Sequence, residues 1–285
     1  NDPDGACSEA TTLTFVVDAS PTNNVLPIPA ECETDPDDGL LIATFDTSNL
    51  ENSINAQAGM DITYLDSSGN PLQDMDGNSI VSPFPNSFTT ETQTITVVVT
   101  NPANTTCPSS VDVDFTVNPR PIFDDLDEEI VCTNRLPHTI TVQNPDATNY
   151  NYEWFNTSGT SIGTDQILSI TDATDISITG VDYSVTVTNP TTGCERTKFV
   201  NLKKSSDATL LDDDIVSVEF NSPANSIEII TTNLGFGDYE FALEHDADSR
   251  PWQDEPIFTE LQGGMYTVLI NDKNGCGEIF KVIFL

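Results

Sequence analysis

The feature of this chain that most constrains its fold is the spacing of its cysteines. Cys7 and Cys32 lie 25 positions apart, and Cys107 and Cys132 repeat the same interval of 25. Both intervals contain an alternating strand, a junction marked by proline, and a polar stretch before the second cysteine. A fixed period of this kind is the signature of a repeated structural unit. The sequence therefore predicts a chain built from several small, similar domains.

The later cysteines share a second pattern. The segments VVVTNPANTTC, YSVTVTNPTTGC and YTVLINDKNGC each contain a strand and an Asn-containing turn, and they end at Cys107, Cys194 and Cys276. In the last copy, Asn274-Gly275 favours a tight hairpin turn because both residues accept a positive φ. Adding 25 to Cys194 reaches Glu219, so the third unit lacks its early cysteine. We therefore expect Cys276 to have no partner.

The two patterns together predict which cysteines pair. Bonds from Cys32 to Cys107 and from Cys132 to Cys194 would each join the first strand of a unit to its last hairpin. Loops of this length stabilise a small domain by about 4 kcal/mol on the chain-entropy estimate. Cys7 would then close a unit that precedes the chain. Wide spacing, no CxxC pair and only 2 histidines argue against zinc, and for disulfides in an oxidising compartment outside the cytoplasm.

Side-chain alternation predicts the fold class. Val111, Val113 and Phe115 share one face of a predicted strand, while Asp112 and Asp114 take the other. Turn residues recur about every 8 to 12 positions, which is typical of β-sandwiches. We therefore expect an all-β protein of tandem small β-sandwich domains, Ig-like or PKD-like, in an elongated array.

Proline-marked junctions indicate the domain limits, because proline fixes φ and stiffens a linker. Residues 1–24 are interpreted as the C-terminal strand of a preceding repeat. Residues 25–119 and 120–205 are interpreted as two complete domains, and 206–285 as a third. One short helix is expected within 47–57, where two apolar residues lie four positions apart after a Thr-Ser cap.

The charge of the chain excludes several function classes. It carries 46 acidic and 9 basic residues, for a formal net charge of -37, which repels nucleic acid and anionic lipid alike. No apolar run is long enough to span a bilayer. Its two histidines, His138 and His245, fall in different predicted domains, and no catalytic motif accompanies them. A non-catalytic protein is therefore expected.

An acidic surface can be neutralised by divalent cations, which makes carboxylates beside glycine turns candidate Ca2+ ligands. One cluster follows Cys32, and a second resembles the first half of an EF-hand loop without its bidentate glutamate. The alternative is that these residues serve as turn formers, for which Asp, Asn and Gly are suited anyway. The candidate calcium ligands are Asp35, Asp37, Asp38, Asp74, Asp76 and Asn78.

The two tryptophans suggest different roles. Trp154 lies 22 positions after Cys132, close to where Ig-like sandwiches bury a tryptophan against a disulfide, so core packing is favoured. Trp252, next to Pro251 in a predicted hairpin loop, could stack on a sugar ring through its indole. Simple packing is the alternative for Trp252.

The chain resembles the Ig-like and PKD-like repeats of giant secreted proteins of the Bacteroidetes. The first complete unit carries this resemblance in CETDPDDGLLIATFDTSNL, ITYLD and the TVVVTNP hairpin, and the last unit in GDYEFALEHD, PWQDEPIFTEL and GGMYTVLINDKNGCGEIFKV. The last unit is similar to the domain that precedes a type B sorting domain in gliding motility-associated proteins. The resemblance implies export across the outer membrane by the type IX secretion machinery.

Two functions fit these observations. The first is a non-catalytic extracellular stalk or adhesin segment of a large bacterial surface or secreted protein. In this function bound calcium would make the domains rigid, and the main partners would be neighbouring repeats of the same polypeptide. The second is a carbohydrate-binding module region of a secreted polysaccharide-degrading protein, for which Trp252 is the candidate ligand contact. Exposed aromatic residues on one sheet face would favour the second function.

Overall fold

Three separate hydrophobic cores follow one another along the chain. The first lies in a unit that ends at Pro119, and the other two lie in a second unit, Arg120–Leu285. Among the described residues, none of the helices has the length and apolar character of a membrane span. The predicted strand of residues 1–24 falls outside the described part, apart from Thr12 and Leu13. The computed structural model describes residues 12–13, 25–54, 56–219 and 225–285.

The first unit encloses its core between small sheets. Strands β3-β5-β6 form one sheet, β2 pairs with β4, and β1 runs parallel to β7. Edge-to-face aromatic pairs, with ring centroids 4.7 to 5.4 Å apart, fill the space between the sheets. The elements are β1 (Glu31–Cys32), β2 (Ile42–Asp46), α1 (Leu50–Ile54), β3 (Asp61–Leu65), β4 (Ser87–Glu91), β5 (Gln93–Asn101), β6 (Asn104–Phe115) and β7 (Val117–Asn118).

The second unit contains two sandwiches in succession. The second sandwich of the chain has the sheet β11-β10-β13-β14-β8 packed against the pair β12-β9. Its strands are β8 (Glu129–Cys132), β9 (His138–Thr141), β10 (Asn151–Phe155), β11 (Ser161–Gly163), β12 (Ile167–Ile170), β13 (Val181–Thr188) and β14 (Glu195–Ser205).

The third sandwich packs the sheet β18-β17-β20-β21 against β15-β16-β19. Its strands are β15 (Ile215–Val218), β16 (Asn225–Ile229), β17 (Tyr239–Glu244), β18 (Arg250–Gln253), β19 (Ile257–Leu261), β20 (Met265–Asp272) and β21 (Glu278–Phe284). In both sandwiches of the second unit, the third, fourth, sixth and seventh strands share one sheet, and the second and fifth strands lie in the other. This division matches the C-F-G and A-B-E sheets of an Ig-like domain. The expected all-β fold of tandem Ig-like β-sandwiches is confirmed.

Burial follows the alternation read from the sequence. Val113 and Phe115 are buried while Asp112 and Asp114 are exposed, and Val185 of β13 and Phe241 and Leu243 of β17 are buried as well. The helix α1 lies where a helix was expected, but it is shorter, and it buries Leu50. The ranges 25–119, 120–205 and 206–285 stay predictions as domain limits, and each contains one of the three cores.

Candidate functional site, a disulfide-linked joint

A disulfide bond joins the second sandwich to the third. Cys132 ends β8, and Cys276 lies in the turn between β20 and β21. The two residues are bonded through sulfur with their Cα atoms 5.3 Å apart, although 144 positions separate them along the chain. Cys132 also lies opposite Ser205, the last residue of β14, in a parallel register. The core of the third sandwich begins at Ala208, so a very short linker and the disulfide both hold the sandwiches together.

A buried carboxylate lies beside this bond. Asp272, at the end of β20, is 1% exposed. Its Oδ2 accepts hydrogen bonds from the Ser205 hydroxyl at 2.9 Å and from the Cys276 amide at 3.0 Å. Its Oδ1 accepts a bond from the Asp238 amide at 3.0 Å, and the Asn274 side chain donates to the Ser205 hydroxyl at 3.1 Å. A carboxylate is buried at acceptable cost when donors surround it, so this network ties the second sandwich to two turns of the third.

Side chains from the second sandwich also donate hydrogen bonds to the hairpin turn of the third sandwich. Asn134 donates through Nδ2 to the Cys276 carbonyl at 3.2 Å, and Arg135 donates through its guanidinium to the Gly275 carbonyl at 3.2 Å. Turning one sandwich against the other would break both bonds and strain the disulfide. The joint is defined here as residues 132–136, 204–207, 234–238 and 272–277.

The predicted pairing of Cys132 with Cys194 is wrong, and so is the expectation that Cys276 has no partner. The reason is the length of β14, which runs from just after Cys194 to Ser205 beside Cys132. Eleven strand residues at about 3.3 Å each place Cys132 and Cys194 roughly 35 Å apart, whereas a disulfide needs Cα atoms within about 7 Å.

The predicted bond between Cys32 and Cys107 is wrong for the same reason. Cys32 pairs in register with Asn118, beyond the end of β6, while Cys107 lies near the other end of β6. Cys107 is a free, exposed thiol, whereas Cys32 and Cys194 are both disulfide-bonded. Cys7 falls outside the described residues.

The acidic turns use their carboxylates to hold their own backbone. Asp74 accepts hydrogen bonds from the Asp76 amide, the Asn78 amide and the Asn78 side chain at 2.8 to 3.0 Å. These bonds, the Asn78 side chain foremost, hold the pKa of Asp74 below its usual value. Asp66 makes the same turn with Asn70 at the matching position.

The first candidate calcium cluster has a similar local geometry. Asp35 accepts a bond from the Asp37 amide at 2.9 Å, and Asp38 accepts one from the Leu40 amide at 2.7 Å. Within the described ranges, no three His, Cys, Asp or Glu side chains are grouped so that they could hold a metal ion. The structure thus brings the six candidate ligands into two separate turns and does not join them.

The two tryptophans lie in different sandwiches. Trp154 on β10 is fully buried and donates through its indole nitrogen to the Asp165 carbonyl at 2.9 Å. The core position predicted for Trp154 is confirmed, but the Cys132–Cys194 disulfide expected beside it does not form. Trp252 lies on β18, a strand at the edge of its sheet and not a loop, and it is 40% exposed.

Sequence reasoning missed Asp272, Ser205 and Asn134. One signal was available for the first, because the inward alternation of Tyr266 and Ile270 in β20 continues to Asp272 and so places a carboxylate on the buried face. No comparable signal marks Ser205 or Asn134, whose partners lie in another domain.

A family model matches part of the first unit. Residues 29–121 match the Flavobacterium inter-domain disulphide bond domain. Together with the Ig-like fold, this match indicates a domain type of the Bacteroidetes. No curated protein matches the chain.

Tandem Ig domains of solved structures resemble the chain. Domains I67–I69 of titin share 14% identity, cover 93% of this chain and 98% of their own, and give a TM-score of 0.39. Extracellular domains 3–5 of Drosophila OTK share 9% identity, cover 94% of this chain and 99% of their own, and give a TM-score of 0.41. The N-terminal four Ig domains of Dscam1 isoform 6.9 share 12% identity, with coverages of 95% and 73% and a TM-score of 0.34.

The disulfides and the repeat fold indicate the setting of the protein. Disulfide bonds persist in oxidising compartments, so they indicate an extracellular or secreted protein. An Ig-like repeat fold and a family described by a structural disulfide favour a non-catalytic role.

Proposed function

We propose that the chain is a rigid spacer, a stalk or adhesin segment of a large extracellular bacterial protein. The observation that carries this proposal is the Cys132–Cys276 bond, which closes a covalent ring across the joint of two successive domains. Linkers between domains normally permit relative motion unless the interface is large. A second covalent connection, supported by the Asp272 network, removes that freedom. A spacer needs this property, because its two ends must stay at a fixed distance from each other.

The experiment measures the freedom of the joint directly. Spin labels attached through bio-orthogonal amino acids at Ser158 and Asp246, both exposed, place one probe on each sandwich of the second unit. Pulsed electron-electron double resonance on the full chain is expected to give one narrow distribution of distances between the two labels in the wild type. The Cys132→Ser/Cys276→Ser variant is expected to give a broader one, while Cys107→Ser serves as the control for loss of a thiol. A broad distribution in the wild type would contradict the spacer function.

Calcium binding at the two acidic turns is a further part of this proposal. Its support is the net charge of -37, which bound cations would reduce. Calcium at about 100 times its Kd should add about 2.7 kcal/mol to the stability of the first unit. Scanning calorimetry with calcium and with chelator measures this, and Asp38→Asn and Asp76→Asn should each reduce the response. Asp66→Asn is the matched control, because its turn has a serine where the other has Asp76. An unchanged melting temperature in chelator would end the calcium hypothesis.

The cellular setting also belongs to the proposal. The resemblance to gliding motility-associated repeats and the Flavobacterium family match support export across the outer membrane by the type IX machinery. On this view the chain lies at the cell surface, where its main contacts are neighbouring repeats of the same polypeptide.

A further inference from the structure

A pocket opens at the joint, between the second and third sandwiches. Its cavity measures about 320 Å³, at the lower end of the range for small-molecule sites. Leu136, Ala173 and Phe236 supply apolar walls, while hydroxyl and charged side chains supply polar groups. The complete lining, here called the joint pocket, is Thr133, Leu136, Asp172, Ala173, Thr174, Lys204 and Phe236.

Lys204 in this pocket is unlike the other lysines of the chain. Lys198, Lys203, Lys273 and Lys281 each form a salt bridge with a carboxylate at 2.5 to 2.9 Å. Across the part of the chain that the structure describes, Lys204 has no such salt bridge, and its ammonium lies 4.4 Å from the centre of the Phe236 ring. In a chain with 46 acidic residues, a lysine left without a carboxylate keeps its three donors for another partner.

The pocket also presents an acceptor. Asp172 uses Oδ1 to accept the Thr174 hydroxyl at 2.5 Å and the Thr174 amide at 2.9 Å. These two bonds hold the pKa of Asp172 below its usual value, so the carboxylate is charged at neutral pH. Its Oδ2 accepts no hydrogen bond from the described residues, which leaves a charged acceptor at the rim.

The aromatic wall is held in place by its backbone. The Phe236 amide donates to the Ser206 hydroxyl at 3.1 Å, and the Gly237 amide donates to the Tyr239 hydroxyl at 3.0 Å. A Cβ at Gly237 would lie 2.3 Å from the Tyr239 ring, so this approach requires glycine. The Phe236 side chain is nevertheless 50% exposed. The backbone that carries this aromatic ring is thus held at the pocket mouth, and the ring itself is not buried in the core.

We propose that the joint pocket binds a single pyranose sugar of an extracellular polysaccharide. The apolar face of the ring would lie against Phe236, one hydroxyl would accept from the Lys204 ammonium, and another would donate to Asp172 Oδ2. An aromatic face, a charged donor and a charged acceptor around one small cavity match the alternating apolar and hydroxyl surfaces of a sugar. This site gives the proposed extracellular segment a ligand, and it differs from the site expected at Trp252.

Saturation-transfer NMR on the full chain tests the proposal. The probes are glucose, galactose, mannose, N-acetylglucosamine and glucuronate, each measured separately. At least one is expected to receive saturation, and Phe236→Ala and Lys204→Met are each expected to weaken its binding at least about tenfold, because charge-assisted hydrogen bonds and ring contact are lost. Phe280→Ala and Trp252→Ala remove exposed aromatic residues outside the pocket and are expected to leave binding unchanged.

Two results would overturn the proposal. One is the absence of saturation transfer to every sugar, and the other is a response of the variants opposite to the expected one, namely unchanged binding in Phe236→Ala or Lys204→Met, or lost binding in Trp252→Ala. Melting curves of each variant exclude unfolding as the cause of lost binding. The site rests on the extracellular setting of the proposed function and not on joint rigidity. If Phe236→Ala loses sugar binding but still gives a narrow distribution of distances between the spin labels, the sugar site fails or holds independently of the spacer function.

Discussion

Stretching the second unit is expected to lengthen the Cys132→Ser/Cys276→Ser variant by about 500 Å more than the wild type. Tension between a handle at position 127 and the C terminus reaches Cys132, crosses the disulfide and continues from Cys276. The residues between the two cysteines carry no load while the bond is intact. Since 144 positions separate them, and each extended residue spans at most about 3.3 to 3.6 Å, the hidden length is about 480 to 520 Å.

Single-molecule force spectroscopy measures this difference as contour length. Attaching the first handle at Asp127, which is exposed, leaves the first unit outside the loaded segment. The Cys107→Ser variant should extend like the wild type, because Cys107 is a free thiol. Equal final extensions for the wild type and the double variant would show that the bond does not form in the protein, and the spacer function would lose its main support.

An inter-domain disulfide suits a spacer because it takes most of the chain in both domains out of the path that carries the load. A bond within one domain protects that domain alone, whereas a bond from Cys132 to Cys276 protects most of two domains at once. The path that carries the load in the third sandwich is reduced to the short segment after Cys276, which is mainly β21. A segment built in this way keeps its length under tension even if its cores open.

The fold could be predicted because it depends on local alternation. Inward positions such as Val185 and Val187 are apolar and buried, and the strand of Trp154 is recognisable from its distance to Cys132. The repeated hairpin pattern also showed correctly that Cys107, Cys194 and Cys276 occupy equivalent positions. Each lies at or close to the turn before the last long strand of its domain.

The cysteine pairing could not be predicted from spacing alone. Spacing shows which residues are equivalent, but it does not show whether two cysteines lie at the same end of a domain. The length of β14 contains that information, because a strand of eleven residues separates its two ends too far for one disulfide. The joint pocket was missed for a related reason, since Lys204 and Phe236 meet only after two domains have folded against each other.

The Cys132→Ser/Cys276→Ser variant is also expected to lower the free energy of unfolding of the second unit by about 5 kcal/mol. On the chain-entropy estimate, a cross-link that closes a loop of 144 residues restricts the unfolded chain by this amount. Urea denaturation of the full chain measures it through fluorescence. The chain has two tryptophans, of which Trp154 reports on the second sandwich and Trp252 on the third.

The same measurement shows whether the disulfide couples the two sandwiches. In the wild type, both sandwiches are expected to unfold together, because opening either one strains the shared ring and exposes Asp272 and Ser205. In the double variant, Trp154 and Trp252 are expected to report separate midpoints, and adding Trp252→Phe isolates the signal of the second sandwich. Cys107→Ser should stay within about 0.5 kcal/mol of the wild type, as exposed substitutions usually do. A loss below about 1 kcal/mol in the double variant would mean that the linker and the Asp272 network hold the joint without the covalent bond.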